Sequence, residues 1–301
     1  MQEYIDDTLY ANMHDVALEF GTVLKSRYRI ANYFAIGHTS LLYIAEDLEA
    51  KESKESKVLV KEFCPYSFAN RDLDRRTVVC KGNAYKKPFM QMFTAFQCEC
   101  EVVQKLKNLP KDLYVHVVGY IDSFQENETQ YLVMDFVEGM DLEHTIQSNC
   151  TLNYKKTIRS LISIVKGIHK LNILHRDIKP SNIMVRSDGS LVLIDFGSAC
   201  LNGQTNTEIS FASKGYSAPE LYEQKMCTKK TDIYSVGAVI YYLTTGIIPL
   251  DAMERKKKDE LESVSNYAEV PFIMEYFIKK SMVLNEKHRF HSLSMLYLLY
   301  L

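Results

Sequence analysis

The sequence predicts an α+β fold in two lobes, a β-rich first part with one main helix and a helix-rich second part, with a cleft between them. Three observations carry this. Strand-like patterns recur over 28–63 and again over 115–136. The pattern turns helical after Glu138-Gly139, most clearly in the apolar spacing of Ile158, Leu161, Ile162, Val165 and Ile168. At 301 residues the chain is long enough to bury a real core in one two-lobed domain. The expected organisation is an N-terminal extension over 1–27, a first lobe with its connector over 28–137, and a second lobe over 138–301.

In chain order, Ile5, Leu9, Met13, Val16 and Phe20 recur at helical spacing, so 3–20 reads as an amphipathic helix. The plain reading packs it on the domain after it; the sharper one makes it a homodimer contact or a regulatory segment. Strands are expected at 28–34, 41–47 and 57–63, with Leu48–Lys57 a solvated charged loop. Residues 64–95 read as irregular, with a basic cluster at Arg71, Arg75 and Arg76. A helix is expected at 92–107, stopped by Leu109-Pro110. Strands at 115–124 and 129–136 come next, then a helix at 154–171. Short strands are expected within 173–185 and at 191–194, and helices at 230–245 and 271–284. The apolar stretch 293–301 is too short to cross a bilayer and reads as a packed terminal helix.

Composition narrows the function classes. The net charge is -2, with 47% apolar and 25% charged residues. Nothing there suggests a nucleic-acid binder or a polybasic membrane anchor. The N-terminus is acidic and lacks the apolar core of a signal peptide. The 7 cysteines contain no CxxC pair, so they read as reduced thiols in a cytoplasmic protein, Cys98 and Cys100 included. The sequence holds 20 tyrosines and no tryptophan, for which we have no physical account.

Chemistry concentrates in two segments. The first is His175-Arg176-Asp177-Ile178-Lys179-Pro180-Ser181-Asn182. The second is Asp195-Phe196-Gly197, preceded by the apolar run Leu191–Ile194. Phosphoryl transfer from a magnesium nucleotide needs hard oxygen ligands for the metal, a carboxylate beside the attacking hydroxyl and a cation for the moving charge. Asn182 and Asp195 supply the ligands, Asp177 the carboxylate and Lys179 the cation. A lone Asp-Phe-Gly would be weak; both motifs in this order and spacing are specific.

On these motifs the chain resembles the protein kinase family over roughly 28–301, and the resemblance implies a kinase-like two-lobed fold using ATP and Mg2+, with Mn2+ as an alternative metal, on a protein substrate. Lys61 resembles the lysine that holds the α- and β-phosphates, and Glu99 its ion-pair partner. Met134 would be the gatekeeper, with the backbone of Asp135 and Val137 on adenine, Asp141 near the ribose, and Met184 as the adenine floor. Gly37 and Leu42 would line the nucleotide from the glycine-rich loop. Glu220, in Ala218-Pro219-Glu220, should pair with Arg289, and Asp232 should brace the catalytic loop. Lys179 favours serine/threonine specificity. Lys61-Glu62-Phe63-Cys64-Pro65, Asn70-Arg71-Asp72 and Gly215-Tyr216-Ser217 resemble a bacterial branch of eukaryotic-like kinases.

Two positions depart from the pattern. The glycine-rich loop holds Ala35, Gly37 and Ser40, so one glycine survives where three allow close approach to phosphates. Leu59 stands where the family has alanine, adding bulk that can cost about 1–3 kcal/mol in a tight site. The leading reading is a serine/threonine kinase that also autophosphorylates in its 198–217 loop, where Thr205, Thr207, Ser210 and Ser213 are candidates and Arg176 resembles the residue that pairs with the phosphate. The alternatives are a pseudokinase acting as a binding or scaffolding module, and a small-molecule or lipid phosphotransferase.

Overall fold

The structure, a computed structural model, describes residues 16–50, 56–148, 150, 152–201 and 212–294. The chain divides into two compact units, residues 1–101 with 119–136, and 102–118 with 137–301.

The first unit is built on a 6-stranded antiparallel sheet in the order β1-β2-β3-β4-β8-β7. These strands are Val23–Leu24 (β1), Tyr28–Ile36 (β2), Ser40–Asp47 (β3), Lys57–Phe63 (β4), Tyr120–Glu126 (β7) and Thr129–Asp135 (β8). The small hairpin β5–β6, Ala69–Arg71 with Val78–Cys80, precedes the helix α1, Lys86–Lys105, which belongs to this unit as far as Glu101. Alternate residues of β2 to β4 feed one core, with Tyr28, Tyr43, Val60 and Tyr131 fully buried.

Four expectations are corrected by the fold. The predicted helix over 3–20 lies outside the described residues as far as Asp15, and 16–20 is turn, bend and irregular chain. The Val16 carbonyl accepts from Arg71 Nε and the Leu18 amide donates to the Tyr43 hydroxyl, so tertiary partners take the backbone groups a helix would use. Residues 64–95 are ordered rather than irregular, forming the β5–β6 hairpin and the start of α1. That helix begins at Lys86, not residue 92, because Pro88 falls in the first turn, where a missing N–H breaks no helical bond. The strand expected at 115–124 begins at Tyr120; Val117 instead bridges Leu193 within the second unit.

The second unit is mainly helical: Lys111–Tyr114 (α2), Leu142–Gln147 (α3), Tyr154–Lys170 (α4), Pro219–Tyr222 (α5), Lys229–Thr245 (α6), Ala252–Lys257 (α7) and Phe272–Ser281 (α8). α6 is central, buried throughout from Thr231 to Leu243 and packed by α4 and α8. Gly237 permits the α8 approach, since a Cβ there would lie 2.7 Å from Ser281 Cβ. Thr228 and Thr231 close a capping box at its start, and Gly246 ends it in the left-handed conformation at φ 71°. The short strands are Met140–Asp141 (β9), Ile173–Leu174 (β10), Ile183–Val185 (β11), Leu191–Leu193 (β12) and Cys200–Leu201 (β13). β11 pairs with both β9 and β12, and β10 pairs with β13. The packed terminal helix expected at 293–301 lies outside the described residues from Met295 onward. Among the described residues no helix is long and apolar enough to cross a membrane.

Candidate active site

In the first unit, β4 carries Lys61 opposite Leu42 of β3 and Leu132 of β8. Its Nζ lies 2.6 Å from Glu99 Oε1, and the two side chains are 10% and 4% exposed. Glu99 is presented by α1, which packs on the strand through an aromatic cluster. Phe63 meets Phe89 and Phe93 at 5.2 Å and Phe96 at 5.7 Å between ring centroids. These three phenylalanines recur on one helical face, so the apolar stripe orients Glu99 toward the strand.

The expected nucleotide-lining residues of this unit, Gly37, Leu42, Met134 and Asp135, lie on the strands of this sheet or in its β2–β3 turn. Gly37 makes the β2–β3 turn, its amide donating to the Ser40 carbonyl at 2.8 Å. Its φ lies outside the left-handed region, and an added Cβ would meet Ser40 O at an ordinary 3.4 Å. This turn therefore does not require glycine. Met134 is 6% exposed and pairs in register with Leu59. The Asp135 amide donates to the Gly119 carbonyl at 2.9 Å, so an adenine contact from this residue would have to come through its carbonyl.

In the second unit, the loop between β10 and β11 carries Asp177, Lys179 and Asn182. A fully buried carboxylate holds that loop in shape. Asp232 Oδ2 accepts from the His175 amide at 3.0 Å and from His169 Nε2 at 2.7 Å, while Oδ1 accepts from the Arg176 amide at 2.8 Å. Burial would raise the Asp232 pKa, but the hydrogen bond and charge of His169, with the Arg176 amide, carry it below the usual carboxylate value. These bonds help hold Arg176 at φ 65°, a conformation that costs energy in a residue with a side chain.

Asp177 is the hub of the loop. Its Oδ2 lies 2.9 Å from Lys179 Nζ and accepts from Asn182 Nδ2 at 3.0 Å. Its Oδ1 accepts from Ser213 Oγ at 2.6 Å, and that oxygen accepts in turn from Lys179 Nζ at 3.1 Å. The Ile194 amide donates to the Asn182 carbonyl at 3.0 Å, which sets Asp195 beside Asn182 at the open end of the β11–β12 hairpin. Asp195 sits at φ 55° and accepts from the Gly197 amide at 3.3 Å. Phe196 is buried against His175, with ring centroids 4.6 Å apart.

Val137, Asp141 and Met184 also belong to this unit. Met184 pairs in register with Asp141 and with Val192. Asp141 is the N-cap of α3: Oδ1 accepts from the His144 amide at 2.8 Å and Oδ2 lies 2.6 Å from His144 Nδ1. Arg176 Nε donates to the Ser198 carbonyl. Thr205, Thr207 and Ser210 lie outside the described residues. The expected pair Glu220–Arg289 is present, buried and bidentate, at 2.6 and 2.9 Å.

Sequence reasoning missed two roles. Ser213 was expected only as a candidate phosphate acceptor in the 198–217 loop, and His169 was given no role. Neither carries a local signal for its partner, since both partners lie far away in sequence.

The family model for the protein kinase domain matches residues 51–296. A probable serine/threonine-protein kinase of Clostridium acetobutylicum is 31% identical over 238 residues, covering 77% of this chain and 32% of that protein. The serine/threonine-protein kinase PrkC of Bacillus subtilis is 27% identical over 285 residues, covering 90% of this chain and 40% of that protein. The chain thus spans two fifths or less of the length of these two relatives. A solved structure described as the PpkA-294 apo form superposes with a TM-score of 0.76 at 21% identity, covering 95% of this chain and 99% of that one.

Proposed function

Because this chain belongs to the protein kinase domain family, we propose that it is an ATP-dependent serine/threonine protein kinase that transfers the γ-phosphoryl group to a protein hydroxyl. The observation that carries the reading is the Ser213 hydroxyl, 2.6 Å from Asp177 and 3.1 Å from Lys179. An aliphatic hydroxyl already rests on the carboxylate that would receive the acceptor's proton, beside the cation that would balance the moving charge.

Asp177 orients the acceptor oxygen and takes its proton. Lys179 offsets charge on the transferred group, and Lys61, held by Glu99, grips the phosphates further back. Asn182 and Asp195 suit magnesium. Asn182 Nδ2 is engaged by the Asp177 carbonyl and carboxylate at 2.9 and 3.0 Å, which leaves Oδ1 as a hard oxygen donor. Among the described residues no three His, Cys, Asp or Glu side chains cluster as a metal cage. Magnesium needs no such cage, since it keeps waters and substrate phosphates as ligands. The bound metal would supply charge neutralisation at the phosphates; Mn2+ fits the same oxygen donors.

The pseudokinase alternative drew on the single glycine and on Leu59. Against it stand the groups the chemistry needs, Lys61 with Glu99, Asp177, Lys179, Asn182 and Asp195, all of which are present. Autophosphorylation is part of the proposal, with Thr205, Thr207 and Ser210 as acceptors and Ser213 as a positioning group instead. A cytoplasmic setting is supported by the sequence, whose 7 cysteines contain no CxxC pair.

Incubation with γ-labelled ATP, magnesium and a generic protein substrate, beside an Asp195→Ala control, tests the reading. Label in the wild type alone is expected. No label in either, over a wide range of ATP and metal, would overturn it.

A further inference from the structure

Two stretches to which the proposed reaction assigns no role, Glu62-Phe63-Cys64-Pro65 and Asn70-Arg71-Asp72, meet inside the first unit. Glu62 is 0% exposed. Its Oε1 accepts from the Tyr131 hydroxyl at 2.7 Å and from Arg71 Nη1 at 2.8 Å. Its Oε2 accepts from the Tyr43 hydroxyl at 2.7 Å and from Arg71 Nη2. The Arg71 fork is extended by bonds from Nη1 to the Arg76 carbonyl at 2.6 Å and from Nε to the Val16 carbonyl at 2.8 Å. Burial works against the Arg71 charge, but Glu62 outweighs it and holds the guanidinium pKa above its usual value.

A buried ion pair is a poor source of net stability, because desolvating both charges cancels much of their attraction. What it supplies is direction and distance. Glu62 comes directly after Lys61 in β4, so the two side chains leave opposite faces of the strand. On one face Lys61 meets Glu99 of α1; on the other Glu62 meets Arg71 of β5. The β5–β6 hairpin then runs directly into α1, closed by the Lys81 amide on the Phe68 carbonyl at 2.9 Å and by Phe68 against Tyr85. The aromatic contact of α1 with Phe63 turns the Glu99 face toward the strand, but apolar packing is non-directional and does not by itself set the Lys61–Glu99 distance.

We propose that Glu62–Arg71 is a positioning clamp for the Lys61–Glu99 pair: it locks the hairpin to β4, and the hairpin sets α1 so that Glu99 meets Lys61. The activity it serves is the proposed kinase reaction, on which this role rests. Arg71 acts through other residues and touches no reacting atom. The Val16 carbonyl is tied to the same guanidinium, so the described chain starts at this clamp.

The test compares wild type with Glu62→Gln/Arg71→Met, which removes both charges together, and with Arg71→Lys, which keeps the charge and loses the fork. Amide hydrogen exchange over 86–101 is read alongside kcat and KM for ATP. Exchange over α1 is expected to quicken, and kcat to fall on the order of tenfold or more, as small misplacements of a positioning group do. In a Glu99→Gln background the clamp substitution should cost nothing further. Unchanged exchange over α1 in a folded variant would overturn the proposal, as would an undiminished kcat loss in the Glu99→Gln background. If the double variant does not fold, Arg71→Lys decides by the same readouts. A wild type without phosphoryl transfer would sink the kinase reading alone, with the exchange comparison still deciding the clamp.

Discussion

The hydroxyl of Ser213 donates to Asp177 Oδ1 at 2.6 Å and accepts from Lys179 Nζ at 3.1 Å, so one serine joins the proposed base to the proposed cation. Its backbone is secured as well: the Ser213 amide donates to Ser217 Oγ at 2.8 Å and its carbonyl accepts from the Tyr216 and Ser217 amides. Ser213→Ala should lower kcat on the order of 10- to 100-fold while KM for ATP holds, because the carboxylate loses its alignment and the nucleotide contacts do not change. Ser213→Thr keeps the hydroxyl and should recover most of the rate. Steady-state kinetics on the two variants check this, and equal losses in both would remove the positioning role.

Glu220 and Arg289 form a buried pair at 2.6 and 2.9 Å, with side chains 6% and 0% exposed. Arg289→Ala strands a buried carboxylate and should destabilise the second unit by about 3–5 kcal/mol. Urea denaturation at equilibrium measures it. A loss within the range of a surface substitution would mean that water reaches Glu220.

Asp232 links stability to pH in a defined direction. Its folded pKa is lowered from 3.8, so its contribution is fully present above the unfolded value and is lost as pH falls through the folded one. The stability gap between wild type and Asp232→Asn should therefore stay constant from neutral pH down to about the ordinary carboxylate value and narrow only below it. Denaturant midpoints measured across pH check this. Narrowing at mildly acidic pH would show that another group, not Asp232, controls the loop.

Two glycines should respond differently to alanine. Gly215 sits at φ 84°, and a Cβ there would lie 2.7 Å from Ile248 Cγ2 and 2.8 Å from the Pro249 carbonyl. Gly215→Ala combines that clash with backbone strain of order 1–3 kcal/mol. Gly37 faces nothing closer than 3.4 Å, so Gly37→Ala should leave the melting temperature unchanged. Thermal melts of both variants suffice; a large loss at Gly37 would contradict the observed turn.

The loop between β10 and β11 and the Asp195 motif stand out in the sequence because the proposed transfer chemistry demands particular donors at particular spacings, and such demands are written locally. Helix α4 was legible because burial of one face leaves a period in the sequence, and α6, buried throughout, because of its long apolar run. The bounds of α1 were not, because Pro88 reads as a breaker until its place in the first turn is known. The end of the N-terminal segment was misread because Val16 and Leu18 bond to Arg71 and Tyr43 rather than to their own neighbours.

By itself, then, the sequence determined the two-part α+β plan, the family resemblance and the identity of the chemical groups. Tertiary structure alone decided that Ser213 rests on Asp177, that His169 braces Asp232, and that the stretch after β4 is a hairpin pinned by Arg71 to Glu62. Each of these joins residues of different elements through a directional bond. Such a bond leaves no periodicity or spacing behind, because its geometry exists only once both partners have been folded into place.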